Sequence, residues 1–288
     1  MSDPRKVVVL GGSGFLGGAL CAELARRGTD VVSHSSATLD LTRREALAAL
    51  DPVVGPETTL VVVSGLAPSR GQSVGTAMAN ITMAANVGAY LDGHPVGHCV
   101  YLGTDAVYGF DVDQVTETAP VTPTGFYALG KYAAERLLAT ACGAHGVRFA
   151  ALRLTAMFGP GDPHGSYGPN QFARALAKER RVRMFGGGEE TRDHLYVADA
   201  ARLIAALLAA RAEGVVNVAS GVSRSFADVV AVAQSLVPYE VAVEALPRRG
   251  PITHRRFDVA GLRAAVGPFE FTPFDRAMRA TLEAFNAL

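Results

Sequence analysis

The chain has little cysteine, no surplus of either charge and no long apolar run, and each shortage argues against a class of function. Cys21, Cys99 and Cys142 are odd in number, lie far apart and form no CxxC pair. That argues against a disulfide framework or a zinc site and fits buried thiols in a reducing compartment. The 27 basic side chains are matched by 27 acidic ones, giving a formal net charge of zero. A chain built to grip nucleic acid would carry a basic excess or stripe. The most apolar helical stretch, Leu203 to Ala210, is bracketed by Arg202 and Arg211 and is too short to span a bilayer. The polar stretch from Met1 to Lys6 lacks the layout of a signal peptide. The expectation is a soluble, cytoplasmic protein with no metal and with neither nucleic acid nor membrane as a partner.

What is present reads as alternating strands and helices. Lys6 to Leu10, KVVVL, is a continuous β-branched run of the kind buried on both faces in a parallel sheet. Val31-Val32, Leu60 to Val63 and Cys99 to Leu102 are further strand candidates; Ala19 to Arg27, Thr42 to Leu50 and Ala77 to Leu91 are helical in character. This alternation predicts a Rossmann-type, doubly wound α/β fold with a parallel sheet. After Gly159 to Asn170, a Gly- and Pro-rich loop, the texture changes. Asn170 is placed to cap a helix reaching about Arg180, Ser225 to open one through Leu236, and Phe274 to Phe285 to form a last amphipathic helix. No linker separates the halves. The reading is one unit over 1–288, with 1–158 mainly dinucleotide-binding and 159–288 mainly a substrate lobe, some of whose segments return to the first part.

Gly11, Gly14 and Gly17 follow the first strand and open the first helix. Such a turn must be tight, let a pyrophosphate approach the backbone and pack a helix onto a strand, with the helix N-terminus facing the phosphates. An acidic residue about 20 residues further on usually holds the adenosine ribose. Here Val31 to Leu39, VVSHSSATL, contains no acid, and Ser33, His34 and Ser35 stand in its place. Nothing there repels a 2′-phosphate, which favours NADP(H), with NAD(H) as the alternative.

Tyr127 and Lys131 are four apart, so both lie on one helical face. Transfer of hydride at a carbinol carbon needs proton transfer at its oxygen. A free phenol is a poor base at neutral pH, and a neighbouring ammonium would lower its pKa. Thr104 ends the strand candidate VYLGT, at the edge where open α/β sheets bind ligands. It can hydrogen-bond a substrate oxygen while Tyr127 handles the proton.

These motifs, in this order, resemble the extended short-chain dehydrogenases of the NAD-dependent epimerase/dehydratase family, which mostly act on nucleotide sugars. The resemblance covers nearly the whole chain. It implies cofactor contacts from the glycines with Ser13, Phe15 and Leu16, from Asp40-Leu41 beside adenine, and from Leu66-Ala67 on the family's fourth strand. Asn80 with Asn86, Glu135 and Arg153 to Asp162 match further motifs; so do Arg192-Asp193 with Val197 and Asp199, Asn217 to Gly221, and Pro247 to Gly250. It implies catalysis by Thr104, Tyr127 and Lys131, and substrate contacts from Thr104, Asp105, Asn170, Arg192, Arg248 and Arg249. Arg255-Arg256 are expected to be solvated. Members of the family commonly dimerise through the helices that begin here near Ala77 and Tyr127, with Tyr132, Leu137 and Leu138 supplying apolar area.

Two departures narrow the chemistry. Dehydratases of this family carry Thr-Asp-Glu at the strand end, with Glu as a base, whereas here the run is Thr104-Asp105-Ala106. Members that epimerise before reducing carry Cys at the place of Ala106. The Thr-Asp pair is similar to the dTDP-4-keto-rhamnose reductases. The leading expectation is NADP(H)-dependent reduction of a keto sugar nucleotide. The alternatives are a 4-epimerase that retains NAD, a carbonyl substrate that is not a sugar, and a non-catalytic dinucleotide sensor.

Overall fold

A computed structural model of the chain describes residues 4–110, 112, 114–163, 168–248 and 250–288. The first half runs β1 (Lys6–Leu10), α1 (Phe15–Arg26), β2 (Asp30–His34), β3 (Thr58–Val62), α2 (Val74–Tyr90), β4 (His98–Thr104), β5 (Gln114–Val115), α3 (Phe126–Ala144), β6 (Arg148–Leu154) and β7 (Ala156–Phe158). There follow α4 (Pro169–Glu179), β8 (Arg181–Phe185), β9 (Thr191–Tyr196), α5 (Val197–Ala209), β10 (Gly214–Val218), β11 (Ser223–Ser225), α6 (Phe226–Leu236), β12 (Ala242–Leu246), β13 (Arg256–Phe257), α7 (Ala260–Val266) and α8 (Phe274–Ala284).

The main sheet has the order β10-β6-β4-β3-β1-β2. Each neighbouring pair in it is parallel. All six C-terminal strand ends therefore lie along one edge. Val7 to Leu10 are fully buried, as a strand covered by helices on both faces requires. The winding reverses at β1, because the chain crosses through α1 to β2 on one side and then returns to β3 on the other. A crevice opens at such a switch point, and here the glycine turn sits in it.

The helix expected over Thr42 to Leu50 is only a 3₁₀ turn, Arg44–Leu50. It is too short to be stable as an independent helix and is held by burial of Leu47 and Leu50. The expected cap at Asn170 is also displaced. Gly168 is the cap and Pro169 occupies the first turn, where its fixed φ suits the helix, so Asn170 lies inside α4.

The later segments build a second core from Phe172, Leu176, Val182, Phe226, Val229, Met278 and Leu282. A three-stranded sheet, β11-β9-β7, and the β12-β8 ribbon accompany it. From this half β10 returns to pair with β6, and β13 pairs with β5. Among the described residues no helix is long and apolar enough to cross a membrane.

Candidate active site

At the end of β1 the backbone folds on itself. Gly11 has φ +98° and abuts Ser64, whose N would lie 2.8 Å from a Cβ there. A Cβ on Gly17 would sit 2.1 Å from the Gly11 carbonyl oxygen, so α1 can start against the strand only if this residue is glycine. Gly14 differs: its φ is −76° and a Cβ would meet only the Gly11 oxygen at 3.4 Å. The protein's own packing therefore does not demand glycine there. The amides of Gly11 and Gly12 both donate to the His34 carbonyl, at 2.8 and 3.0 Å, and close the turn onto β2. Gly18 makes a 2.7 Å bond to the Gly14 carbonyl. The amides of Phe15, Leu16 and Gly17 precede it at the helix start, where donors lack intrahelical acceptors.

Beside this turn, Ser33 is exposed at the end of β2, and Ser35 joins Thr38 in a hydrogen-bonded turn. The His34 Nε2 is covered by protein and has no hydrogen-bond partner. Asp40 uses Oδ1 to accept from Thr42 N and Oγ1 at 3.0 and 2.7 Å, while Leu41 packs in the core. Leu66 and Ala67 do not lie on a strand. The flanking Gly65 and Pro68 end the extended run at β3, and these two residues form the loop beyond it. Asn80 pins that loop by accepting from Leu66 N at 2.7 Å and donating to Leu66 O at 3.2 Å.

Thr104 ends β4, and Tyr127 and Lys131 project from the first turns of α3. Gly130 lets α3 close on α2, since a Cβ would meet the Ala77 Cα at 2.9 Å. Tyr127 is hydrogen-bonded to Thr104; burial raises its phenol pKa above the ordinary value, partly offset by that bond. The expected lowering by Lys131 is therefore not the net effect in the chain itself. The Lys131 ammonium donates to the Leu102 carbonyl at 2.7 Å and lies 4.4 Å from the Tyr101 ring centre. Burial brings its pKa down to about 8. A Cβ at Gly65 would lie 3.4 Å from Lys131 Nζ and 3.6 Å from Asn80 Oδ1. The loop after β3, Asn80 and Lys131 thus converge at one place.

Across the cleft, Asp105 begins the short turn after Thr104, and burial raises its pKa against the opposing pull of Arg255 and Arg192. Arg192 donates to the carbonyls of Thr191 and Thr253 at 2.8 and 2.9 Å and to Thr253 Oγ1 at 2.8 Å. Its guanidinium lies 4.9 Å from the Phe110 ring centre. Asn170 is buried, accepting from Gly159 N at 3.0 Å and donating to Asp162 at 2.7 Å. Arg248 is paired with Glu189 and Glu190 rather than open to solvent. Arg249 lies outside the described residues. Arg255, expected to be solvated, is only 2% exposed, because three backbone carbonyls of residues 105 to 109 accept its hydrogen bonds.

Residues 7–219 match the model of the NAD dependent epimerase/dehydratase family. The chain belongs to that family. A GDP-L-fucose synthase of Sinorhizobium fredii is 25% identical over 239 residues, covering 76% of each chain. A UDP-glucose 4-epimerase of Corynebacterium glutamicum is 24% identical, over 85% of this chain and 84% of its own. Among solved structures, RMD from Pseudomonas aeruginosa complexed with NADPH superposes with a TM-score of 0.85 at 24% identity, covering 99% of this chain and all of the other. The UDP-glucose 4-epimerase of Thermus thermophilus in complex with NAD gives the same TM-score and identity, over 98% of this chain and 99% of its own. These likenesses establish the Rossmann-like fold.

Several matched family positions have structural work in this member. Arg153 donates to both Glu135 oxygens, at 3.0 and 2.6 Å, and to Tyr108 Oη at 2.8 Å, all buried. Tyr108 passes the chain on to Asn217 at 2.9 Å. Asp193 accepts from the amides of Ser220 and Gly221 at 3.0 and 2.7 Å. Sequence reasoning found these positions only through the motifs. It missed Arg255, whose acceptors lie about 150 residues away in the chain.

Proposed function

We propose that the protein reduces a keto sugar nucleotide with NADPH. The observation that carries this reading is the convergence of Thr104, Tyr127 and Lys131 at the strand edge, with the methyl of Ala106 where the family's dehydratases hold a base. The glycine turn, the α1 start, the loop of Leu66 and Ala67, Asn80 and Lys131 fit a dinucleotide. When bound, its nicotinamide supplies hydride to a carbonyl carbon. Tyr127 gives its hydroxyl proton to the carbonyl oxygen, and Thr104 polarises that oxygen through a hydrogen bond. Lys131, an ammonium below about pH 8, keeps positive charge beside the developing phenolate. The substrate pyrophosphate would meet Arg192, and would reach Arg248 only by competing with Glu189 and Glu190.

Preference for NADPH rests on Ser33 to Ser36 standing where a ribose-binding acid is usual. Dissociation constants for NADPH and NADH measured on the apo protein check it, with tighter NADH binding as the contrary result. The decisive assay supplies 4-keto-6-deoxy sugar nucleotides of the dTDP and GDP series and follows loss of NADPH. Consumption of NADPH supports the reading. A protein that purifies with NAD and interconverts UDP-glucose and UDP-galactose instead fits the 4-epimerase reading, which the names of several relatives favour. Appearance of 4,6-dehydration products from dTDP-glucose or GDP-mannose would contradict the role given to Ala106.

The same proposal includes a cytoplasmic homodimer through α2 and α3. Val74, Met78, Phe126, Leu129 and Leu137 are large apolar side chains exposed on these helices. Leu138, expected on that face, is instead fully buried in the core. Sedimentation as a monomer at micromolar concentration would refute the dimer.

A further inference from the structure

Arg255 takes no part in the chemistry above, yet it is among the most buried charged side chains of the described residues. Nη1 donates to the Asp105 carbonyl at 2.6 Å and lies 3.5 Å from Asp105 Oδ2. Nη2 donates to the carbonyls of Tyr108 and Gly109 at 3.0 and 2.8 Å. The guanidinium also lies 4.2 Å from the centre of the Phe110 ring. One side chain thus grips the start and the end of the turn that follows β4.

The turn itself explains why such a grip is needed. Residues 105–107 form a single 3₁₀ turn capped by Thr104, whose Oγ1 accepts from Ala106 N at 3.2 Å. Carbonyls 105, 108 and 109 face one small region, where their negative ends repel one another; Asp105 O also accepts from Tyr108 N at 3.0 Å, whereas the carbonyls of Tyr108 and Gly109 accept from Arg255. A planar guanidinium supplies several donors in fixed directions and a positive charge at once. Its own position is fixed from the other half of the molecule. Arg255 N donates to Thr191 O at 3.2 Å, Ser223 Oγ donates to Arg255 O at 2.5 Å, and the next residues pair with β5.

We infer that Arg255 is a positioning residue: it clasps the turn after β4 and so holds Thr104 in register with Tyr127. This rests on the roles given to Thr104 and Tyr127 under the proposed function. Arg192 cannot replace it, since Arg192 is committed to Thr191 and Thr253. Lysine cannot replace it fully, because an ammonium is a point donor that does not span three carbonyls.

The test compares Arg255→Met and Arg255→Lys with wild type, each also in a Thr104→Val background. With a 4-keto-6-deoxy sugar nucleotide, Arg255→Met should lower kcat by about tenfold or more while the KM for NADPH stays within about twofold. Arg255→Lys should recover part of that loss, and it serves alone if the methionine variant does not fold. In the Thr104→Val background the further loss should shrink to about threefold or less, because the residue through which Arg255 acts is already gone. Hydrogen exchange should quicken over residues 104–110 and stay unchanged over β1 and α1. Wild-type kcat in Arg255→Met, a fully additive loss, or unchanged exchange over 104–110 would overturn the inference. If wild type consumes NADPH with none of these ketones, the proposed function has failed, and the exchange measurement alone decides the role of Arg255.

Discussion

The two sides of the cleft are made of different material. On the side proposed for the dinucleotide the site is built of backbone: a turn closed by Gly11 and Gly12 on His34, a helix start at Phe15, and a Gly17 with no room for a methyl. The side proposed for the substrate is built of long charged side chains, each already engaged within the protein. Arg192 holds Thr253, Arg248 holds Glu189 and Glu190, and Arg255 holds the turn after β4. A site made of backbone is fixed by what the chain omits, whereas a site made of guanidinium groups depends on partners far away in sequence.

Tyr127→Phe should have the largest effect and separates the two sides most cleanly. The ring still packs against the cofactor side, but no proton reaches the substrate. Turnover should fall by about 10²- to 10⁴-fold, the usual worth of a positioned acid, with the Kd for NADPH little changed. Lys131→Ala should lose both, because the buried ammonium serves both sides. Near-normal turnover by Tyr127→Phe would remove the assigned mechanism.

Arg153→Met comes next and acts on the floor beneath both sides. It would strand Glu135, which is 2% exposed and bonded by two Arg153 nitrogens. Breaking a buried pair by removing one partner costs about 3–5 kcal/mol. Tyr108 Oη would lose the hydrogen bond that it accepts from Arg153, while its own bond to Asn217 remains available. Denaturant unfolding should show that loss, while Arg148→Met, whose partner Glu213 is exposed, should change stability by about 1 kcal/mol or less. Equal losses in the two variants would contradict the buried network.

Gly17→Ala and Gly14→Ala sharpen the comparison within the backbone-built side. At Gly17 the added methyl meets a carbonyl at 2.1 Å and something must move, so stability should drop by about 1–3 kcal/mol and NADPH affinity with it. At Gly14 the nearest atom is at 3.4 Å. That variant should fold with an unchanged melting temperature and still bind NADPH less well, since the methyl would occupy the ligand's approach. Loss of stability in Gly14→Ala would show that the glycine serves the fold after all.

The same contrast governs what the sequence revealed. The β1, glycine and α1 run was legible because local rules dictate it: a β-branched run, then residues without Cβ, then a helix. Tyr127 and Lys131 were legible because helical spacing alone puts them on one face. Arg255 was not, since nothing near it distinguishes it from the exposed Arg256, and its acceptors enter only through the fold. Leu138 was misplaced on the surface because it adjoins Leu137, and one step along a helix turns a side chain by roughly 100°. Asn170 looked like a cap because the special φ of Gly168, +114°, cannot be read from residue type alone.

The smallest effect tests two buried histidines, one in each part of the molecule. His98 on β4 uses Nε2 to meet the Ala212 carbonyl at 2.9 Å, and burial brings its pKa down to about 4. His194 on β9 leaves Nε2 without a partner, lies against Phe226 with ring centres 5.6 Å apart, and is brought by burial to about 3. Both are thus neutral in the fold at pH 6, whereas an unfolded histidine, with pKa about 6.5, takes up a proton there. The unfolded state binds more protons below that value, so stability is fully present above it and is lost as pH falls. Each histidine should contribute a loss of about 1 kcal/mol between pH 7.5 and 6. His98→Asn should flatten this dependence but lower stability at every pH, because the Ala212 bond is weakened. His194→Leu should flatten it equally without that penalty, since an unpartnered buried nitrogen is exchanged for an apolar group of similar size. Melting temperatures of the three proteins at pH 6 and 7.5 decide the matter, and an unaltered pH dependence in either variant would mean that its histidine already titrates normally in the fold.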